Sequence, residues 1–255
     1  MIYGLYQSAT GVLANSFRQD VIANNLANAE TVGFKKDLAL CREQATEARL
    51  RGLNPRRHSN PALEPLGGGL AVRPTFVDRS QGELESTGNA MDVAIHGDGF
   101  FAVRQDGKMM LTRDGRLTVN SAGNLALAST GLEVLDTNRQ PIAIKPGQPL
   151  TIGDDGSITQ NKKPVGRLGL FDVPNSRQLH KQGAGLLAYP DAERAMKPAV
   201  AATLRSNFVE RANVEPATEL AKLMDAQRQL EANANMIRYQ DQTLGRLVND
   251  VMKIG

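Results

Sequence analysis

The stretch PATELAKLMDAQRQLEANANMIRYQDQTLGRLVNDVMKIG, residues 216–255, decides the fold. Leu220, Leu223, Gln227, Leu230, Ala234, Ile237, Asp241, Leu244, Val248 and Val251 follow alternating steps of three and four. That is a heptad seam, interrupted by polar residues only at Gln227 and Asp241. Asn213 followed by Pro216, with acidic Glu215 and Glu219, suits the start of a helix, and Lys253 with Gly255 suits its end. A helix over about 217–252 is roughly 54 Å long at 1.5 Å per residue, longer than a globule of this size needs internally. Gln227 and Asp241 fit two readings: solvated positions where the seam frays, or polar positions that fix register between chains.

The amino terminus repeats the spacing. Ile2, Leu5, Ala9, Val12, Ser16, Gln19, Ala23 and Leu26 form a seam with Leu13, Phe17 and Ile22 beside it, and Gly33 suits a stop after a run ending near Asn28. Between the two seams the chain changes character. All twelve prolines lie between Pro55 and Pro216, and glycine crowds the middle but is absent from Leu186 to Leu244. Proline costs about 3 kcal/mol and glycine about 1 inside a helix, so the ends permit helix and the middle does not.

Residues 93–173 read as strands. Val93 and Ile95 alternate, as do Phe101 and Val103, Leu117 and Val119, and Leu125 and Leu127. Asp98-Gly99, Asp106-Gly107, Asp114-Gly115 and Asp155-Gly156 supply turns of the kind that join antiparallel strands. Residues 53–75, with Pro55, Pro61, Pro65, Pro74 and three consecutive glycines from Gly67, read as an extended connection, and helix from Asp37 to Arg51 stays open. The expectation is an α+β chain whose paired, coiled-coil-like N- and C-terminal helices flank a central all-β domain. Its parts are an N-terminal helix over 1–30, a connector over 31–75, a β-rich domain over 76–208 and a C-terminal helix over 209–255.

Each seam Leu or Ile contributes roughly 1.5–3 kcal/mol if buried and nothing in water. A small β body cannot cover so long a stripe. The N-terminal helix is the first candidate cover, and its surplus apolar width asks for further copies or other chains. The plainer alternative is a helical hairpin folded on its own β domain, and from a different class, a ligand-binding or enzymatic β domain dimerised by its ends.

Composition narrows the function. Thirty Lys and Arg against 27 Asp and Glu leave a net +3, which is no basic field for nucleic acid or anionic membrane. Aromatic residues make up 4% with no Trp, too few for base-stacking platforms. Cys41 is the single cysteine, so an internal disulfide or Cys-based zinc site is excluded. The opening stretch Met1–Phe17 is too polar and short to span a bilayer and lacks the basic residues that precede a cleaved signal. No membrane insertion and no cleaved signal are therefore expected.

Three motifs add a resemblance. Ala23–Lys36 reads ANNLANAETVGFKK, Gln81–Val103 reads QGELESTGNAMDVAIHGDGFFAV, and Val209–Ile237 reads VERANVEPATELAKLMDAQRQLEANANMI. Together these resemble the bacterial flagellar rod and hook family, the axial proteins of the hook–basal body. Asn24, Asn25, Leu26, Asn28, Gly33 and Phe34 stand at the positions of its N-terminal pattern, and Asn213, Val214, Gln227, Arg228 and Glu231 at those of its C-terminal one. Ala212 and Leu230 depart from it, where Ser and an aromatic are usual. Length fits a rod component better than a hook subunit, and PVGRLGLFDV at Pro164–Val173 is more similar to the proximal than to the distal rod type.

The resemblance implies a structural subunit, not an enzyme, with no cofactor. It implies export through the flagellum-specific type III apparatus and assembly with copies of itself and other rod and hook proteins. The product is a periplasm-spanning tube that transmits torque, with the terminal helices inside and the β domain outside. The expected interface is Leu5, Val12, Asn24, Asn25, Leu26, Asn28, Gly33, Phe34, Leu220, Leu223, Gln227, Leu230, Ile237, Leu244 and Val248.

Read from chemistry alone, Asn24, Asn25 and Asn28 bridge neighbouring helices or cap their own, and Gly33-Phe34 is a turn with an apolar anchor. His58, His96 and His180 have no metal-ligand spacing. Gly97-Asp98-Gly99 reads as a hairpin turn and not a dinucleotide loop.

Overall fold

A computed structural model describes residues 2–45, 68–145, 147–199 and 201–252. They fall into two compact units, Met1–Leu26 with Asp37–Phe76 and Pro216–Gly255, and Ala27–Lys36 with Val77–Glu215. The chain is α+β, with a helix at each end and a mainly β centre.

The first unit is built on the helices Ile2–Ala27 and Pro216–Met252. Pro216 takes the first helical position, where its fixed φ is suitable and its missing N–H costs nothing. Asn213 does not cap this helix; its side chain is used elsewhere, as described below. The N-terminal helix ends just before Asn28, whose carbonyl accepts the Thr31 N–H at 3.0 Å.

Beside that helix lies a two-stranded ribbon, Cys41–Glu43 antiparallel to Leu70–Val72, with Cys41 opposite Val72 and Glu43 opposite Leu70. Asn25 exchanges two 2.9 Å hydrogen bonds with the Asp37 backbone. Further back, Tyr6 Oη donates to Gln44 Oε1 at 3.1 Å, and the Leu70 N–H donates to Thr10 Oγ1 at 3.3 Å. Strand therefore occupies 37–38 and 41–43, where the sequence left helix open, because Asn25 engages the Asp37 backbone in extended form. Residues 46–67, which hold Pro55, Pro61, Pro65 and His58, lie outside the described residues. Cys41 is partly exposed on its strand rather than in a core.

The second unit centres on a six-stranded antiparallel sheet in the order His180–Gly183, Leu186–Ala188, Lys108–Thr112, Phe100–Gln105, Leu170–Asp172, Lys197–Pro198. Phe101, Val103, Met110 and Leu186 face one apolar layer, shared with Ile95, Leu125 and Ile158. Phe100, Ala102, Leu111 and Leu187 face another, shared with Val77, Val173 and Leu179. A sheet covered on both faces explains why Phe100 to Val103 is apolar without alternation. Phe101 and Val103 share the first layer, as their alternation in sequence leads one to expect.

Two of the four expected turns join paired strands. Asp106 and Gly107, at φ +49 and +75, close the hairpin of Phe100–Gln105 and Lys108–Thr112 in the left-handed form such two-residue turns favour. Asp155-Gly156 joins Leu150–Ile152 to Ser157–Gln160. The other two do not. Val93–His96 pairs with Thr203–Ser206, so Asp98-Gly99 carries the chain from one sheet to another. Gly115 is required by close approach, since a Cβ there would strike the Val93 carbonyl. A turn that sequence missed, Asn161-Lys162 at φ +52 and +62, joins Ser157–Gln160 to Lys163–Arg167.

Candidate assembly surface

The two terminal helices touch along a face of small and polar side chains. A Cβ at Gly4 would lie 2.6 Å from Gln240 Nε2, and one at Gly11 would lie 2.8 Å from Asn233 Nδ2. Arg18 Nη1 donates to Gln229 Oε1 at 3.2 Å, and Asn25 Nδ2 reaches Glu219 Oε2 at 3.5 Å. Numbers rise along one helix as they fall along the other, so the helices run antiparallel. Positions 4, 11, 18 and 25 recur at seven-residue steps, two helical turns apart. Between them Ser8, Ala14, Asn15, Val21 and Ile22 are buried, as are Glu219 and Ala226 opposite.

This contact face is rotated from the seams that periodicity singled out. Leu5, Val12 and Leu26 remain half-buried, Asn24 is exposed, and Asn25 is buried at 2% exposure. Leu223, Leu230, Ile237 and Leu244 are half-buried, whereas Leu220, Gln227 and Val248 are exposed. Gln227 Nε2 donates to Glu231 Oε1 at 3.2 Å on its own helix, and Asp241 is exposed. Large apolar side chains stand open around these positions: Tyr6, Leu13, Leu220, Met224, Met236, Tyr239, Leu247 and Val248 are each at least 47% exposed. Leu13 and Tyr239 reach 66%. Sequence reasoning missed Gly4, Gly11, Asn233 and Gln240, although two helix-interior glycines seven residues apart were a readable sign of space kept for something.

Gly33 and Phe34 lie in the second unit. Gly33 sits at φ +70, a Cβ there would fall on the Arg113 and Asp114 backbone, and its N–H donates to the Glu210 carbonyl at 2.7 Å. Phe34 is buried with Lys181 Nζ 3.7 Å from its ring centre. Asn28 Oδ1 accepts the Thr31 hydroxyl at 3.3 Å in the turn that precedes them. All three thus bond or pack within one chain.

Next to them lies a buried ionic cluster. Glu210, at 0% exposure, accepts Lys35 Nζ and the Gly82 N–H (2.9 Å) on Oε1 and Arg113 Nη1 on Oε2 at 3.0 Å. Lys35 also donates to the Ser80 carbonyl at 2.7 Å, and Arg113 Nη2 to the Gly97 carbonyl at 2.7 Å. Arg113 stacks 5.3 Å from the Phe100 ring centre, while its Nε is buried with no hydrogen-bond partner. Burial pushes the Lys35 ammonium below the ordinary lysine value, an effect the Glu210 carboxylate partly offsets. Asn213 completes the arrangement. Its Nδ2 donates to the Asp78 and Ser80 carbonyls at 3.1 Å each, its Oδ1 accepts the Lys36 N–H at 2.7 Å, and its own N–H reaches the Phe34 carbonyl at 3.3 Å.

Nothing in this set resembles a reaction centre. Among the described residues no group of His, Cys, Asp and Glu could hold a metal ion, and no helix is long and apolar enough to cross a membrane. His96 and His180 are exposed and separate.

Comparison with known families gives the class. Residues 5–35 match the flagella basal body rod protein family, residues 94–160 the flagellar hook protein FlgE/F/G D1 domain, and residues 205–250 the flagellar basal body rod FlgEFG protein C-terminal family. The matches fall in order on the N-terminal helix and its exit, the β unit, and the C-terminal helix. They define a structural protein of the flagellum. The chain is similar to the flagellar basal-body rod protein FlgF of Caulobacter vibrioides, 37% identical over 86% of this chain and 85% of the relative. It is also similar to FlgG of Buchnera aphidicola subsp. Baizongia pistaciae, 33% identical over 97% and 99%, and to FlgG of Bacillus subtilis, 30% identical over 98% and 99%. The chain belongs to the flagellar basal-body rod protein family, and it is a structural rod subunit, not an enzyme.

Proposed function

We propose that this subunit joins the rod through the helix faces left open in the single chain, and that these faces take up other copies and other rod and hook proteins. The interface is Leu5, Val12 and Leu13 on the N-terminal helix, with Leu220, Met224, Met236, Tyr239 and Val248 on the other. Leu223, Leu230, Ile237 and Leu244 contribute their uncovered halves. One observation carries the reading: the helices meet where Gly4, Gly11, Arg18 and Asn25 face Gln240, Asn233, Gln229 and Glu219, while Leu13 and Tyr239 are left 66% exposed. Burying each such side chain is worth about 1.5–3 kcal/mol, a gain that a neighbouring chain can realise. The seven-residue antiparallel ladder is coiled-coil-like in our reading, with polar layers fixing register.

Export by the flagellum-specific type III apparatus, a periplasm-spanning position and the transmission of torque belong to the same proposal. So does the proximal position in the rod, for which the Pro164–Val173 stretch speaks. The test uses Leu13→Asp with Met236→Asp, both exposed and so expected to change stability by no more than about 0.5 kcal/mol. Secretion should persist while incorporation into purified basal bodies fails. Normal motility from this double variant would remove the proposal.

A further inference from the structure

The Lys35–Glu210–Arg113 cluster plays no part in contacts between copies, since its side chains are at most 2% exposed. As a source of stability it is poorly built. Two cations share one carboxylate, Arg113 Nε has no partner, and buried ion pairs are commonly replaced by apolar residues at no loss. What it supplies is conditionality. Glu210 is satisfied only when Lys35, Arg113 and the Gly82 N–H all arrive, and Asn213 only when Lys36, Asp78 and Ser80 do.

These two side chains share a location. Lys35 and Lys36 end one run of this unit, after which the chain leaves at Asp37; Glu210 and Asn213 precede its other exit at Pro216. Direct bonds tie the exits: Gly33 N–H to the Glu210 carbonyl at 2.7 Å, and Lys36 N–H to Asn213 Oδ1 at 2.7 Å.

We infer that Lys35, Glu210, Arg113 and Asn213 form a clasp that holds the two exits of the β unit together, and that they are positioning residues for assembly. They act through the chain segments that leave the unit, not by touching a neighbouring copy. The inference rests on the assembly reading above, and its failure can be told from the failure of that reading.

The full-length chain carries the test. Lys35→Met leaves Glu210 balanced by Arg113, so the unit should still fold. Hydrogen exchange is then read at the Gly33, Lys36 and Asn213 amides against Val103 and Leu111 in the central sheet. Exchange at the exits should rise tenfold or more with the sheet amides unchanged, and incorporation into basal bodies should fall at least tenfold. Lys35→Arg, which keeps the charge, should recover part of both.

Wild-type incorporation of Lys35→Met, or unchanged exchange at the exits, overturns the clasp. So does loss of protection at Val103 and Leu111 in step with the exits, because the cluster would then be ordinary core. If Lys35→Met does not fold, Asn213→Ala, which strands no charge, is held to the same outcomes. Full incorporation of the Leu13→Asp, Met236→Asp variant would remove the assembly reading whatever the clasp does; full incorporation of Lys35→Met alone removes only the clasp.

Discussion

Asp78 shows how much of this protein's chemistry is local. Burial pushes its carboxyl up, but the Ser80 N–H and hydroxyl and the Lys36 ammonium outweigh that, leaving it below the ordinary aspartate value. A carboxylate held below its unfolded value contributes stability that is present above that unfolded value and lost as pH falls through the folded one. Acid unfolding of the wild type should therefore show a loss in that window which Asp78→Asn lacks, measured by chemical denaturation across a pH series. An identical pH profile in the two proteins would contradict this. Asp78 and Ser80 were not legible as partners of Asn213, because 133 or more residues separate them and no local pattern announces the contact. Gly33 was legible as a turn, but the nearness of the Arg113 backbone, which makes the glycine obligatory, was not.

Among elements, the helices carry the clearest lesson. Their existence followed from period and from the absence of proline. The C-terminal helix begins at Pro216, within a residue of the 217–252 read from its seam. That is seven after the 209 given to the C-terminal segment, because Phe208–Glu210 is strand. Which face each turns to the other did not follow. Periodicity ranks faces by apolarity, whereas this contact is made by Gly4, Gly11, Asn233 and Gln240. Gly11→Ala gains about 1 kcal/mol of helix propensity but intrudes on Asn233, so alone it should be near neutral. In an Asn233→Ala background the same change should stabilise by about 1 kcal/mol, giving a coupling of that order in a double-mutant cycle. Additive effects would mean that the glycine makes no room for Asn233. The strands divide similarly: Asp-Gly signalled the turn at Asp106, but Asn161-Lys162 escaped because lysine carries no turn preference.

For the molecule as a whole, exposed leucine, methionine and tyrosine on both helices predict that the isolated chain associates as its concentration rises. Sedimentation velocity over a dilution series should show the average species growing, and a single monomeric boundary throughout would argue against it. Crowding of that sort brings a hazard. Unpaired strand edges on identical neighbours invite pairing into amyloid-like stacks. The central sheet ends on one side in Lys197–Pro198, a two-residue strand whose proline has no N–H to offer, and on the other in His180–Gly183, where the register slips between Lys181 and Gly183. Both borders are thereby poor templates, so subunits can be concentrated shoulder to shoulder without their sheets fusing.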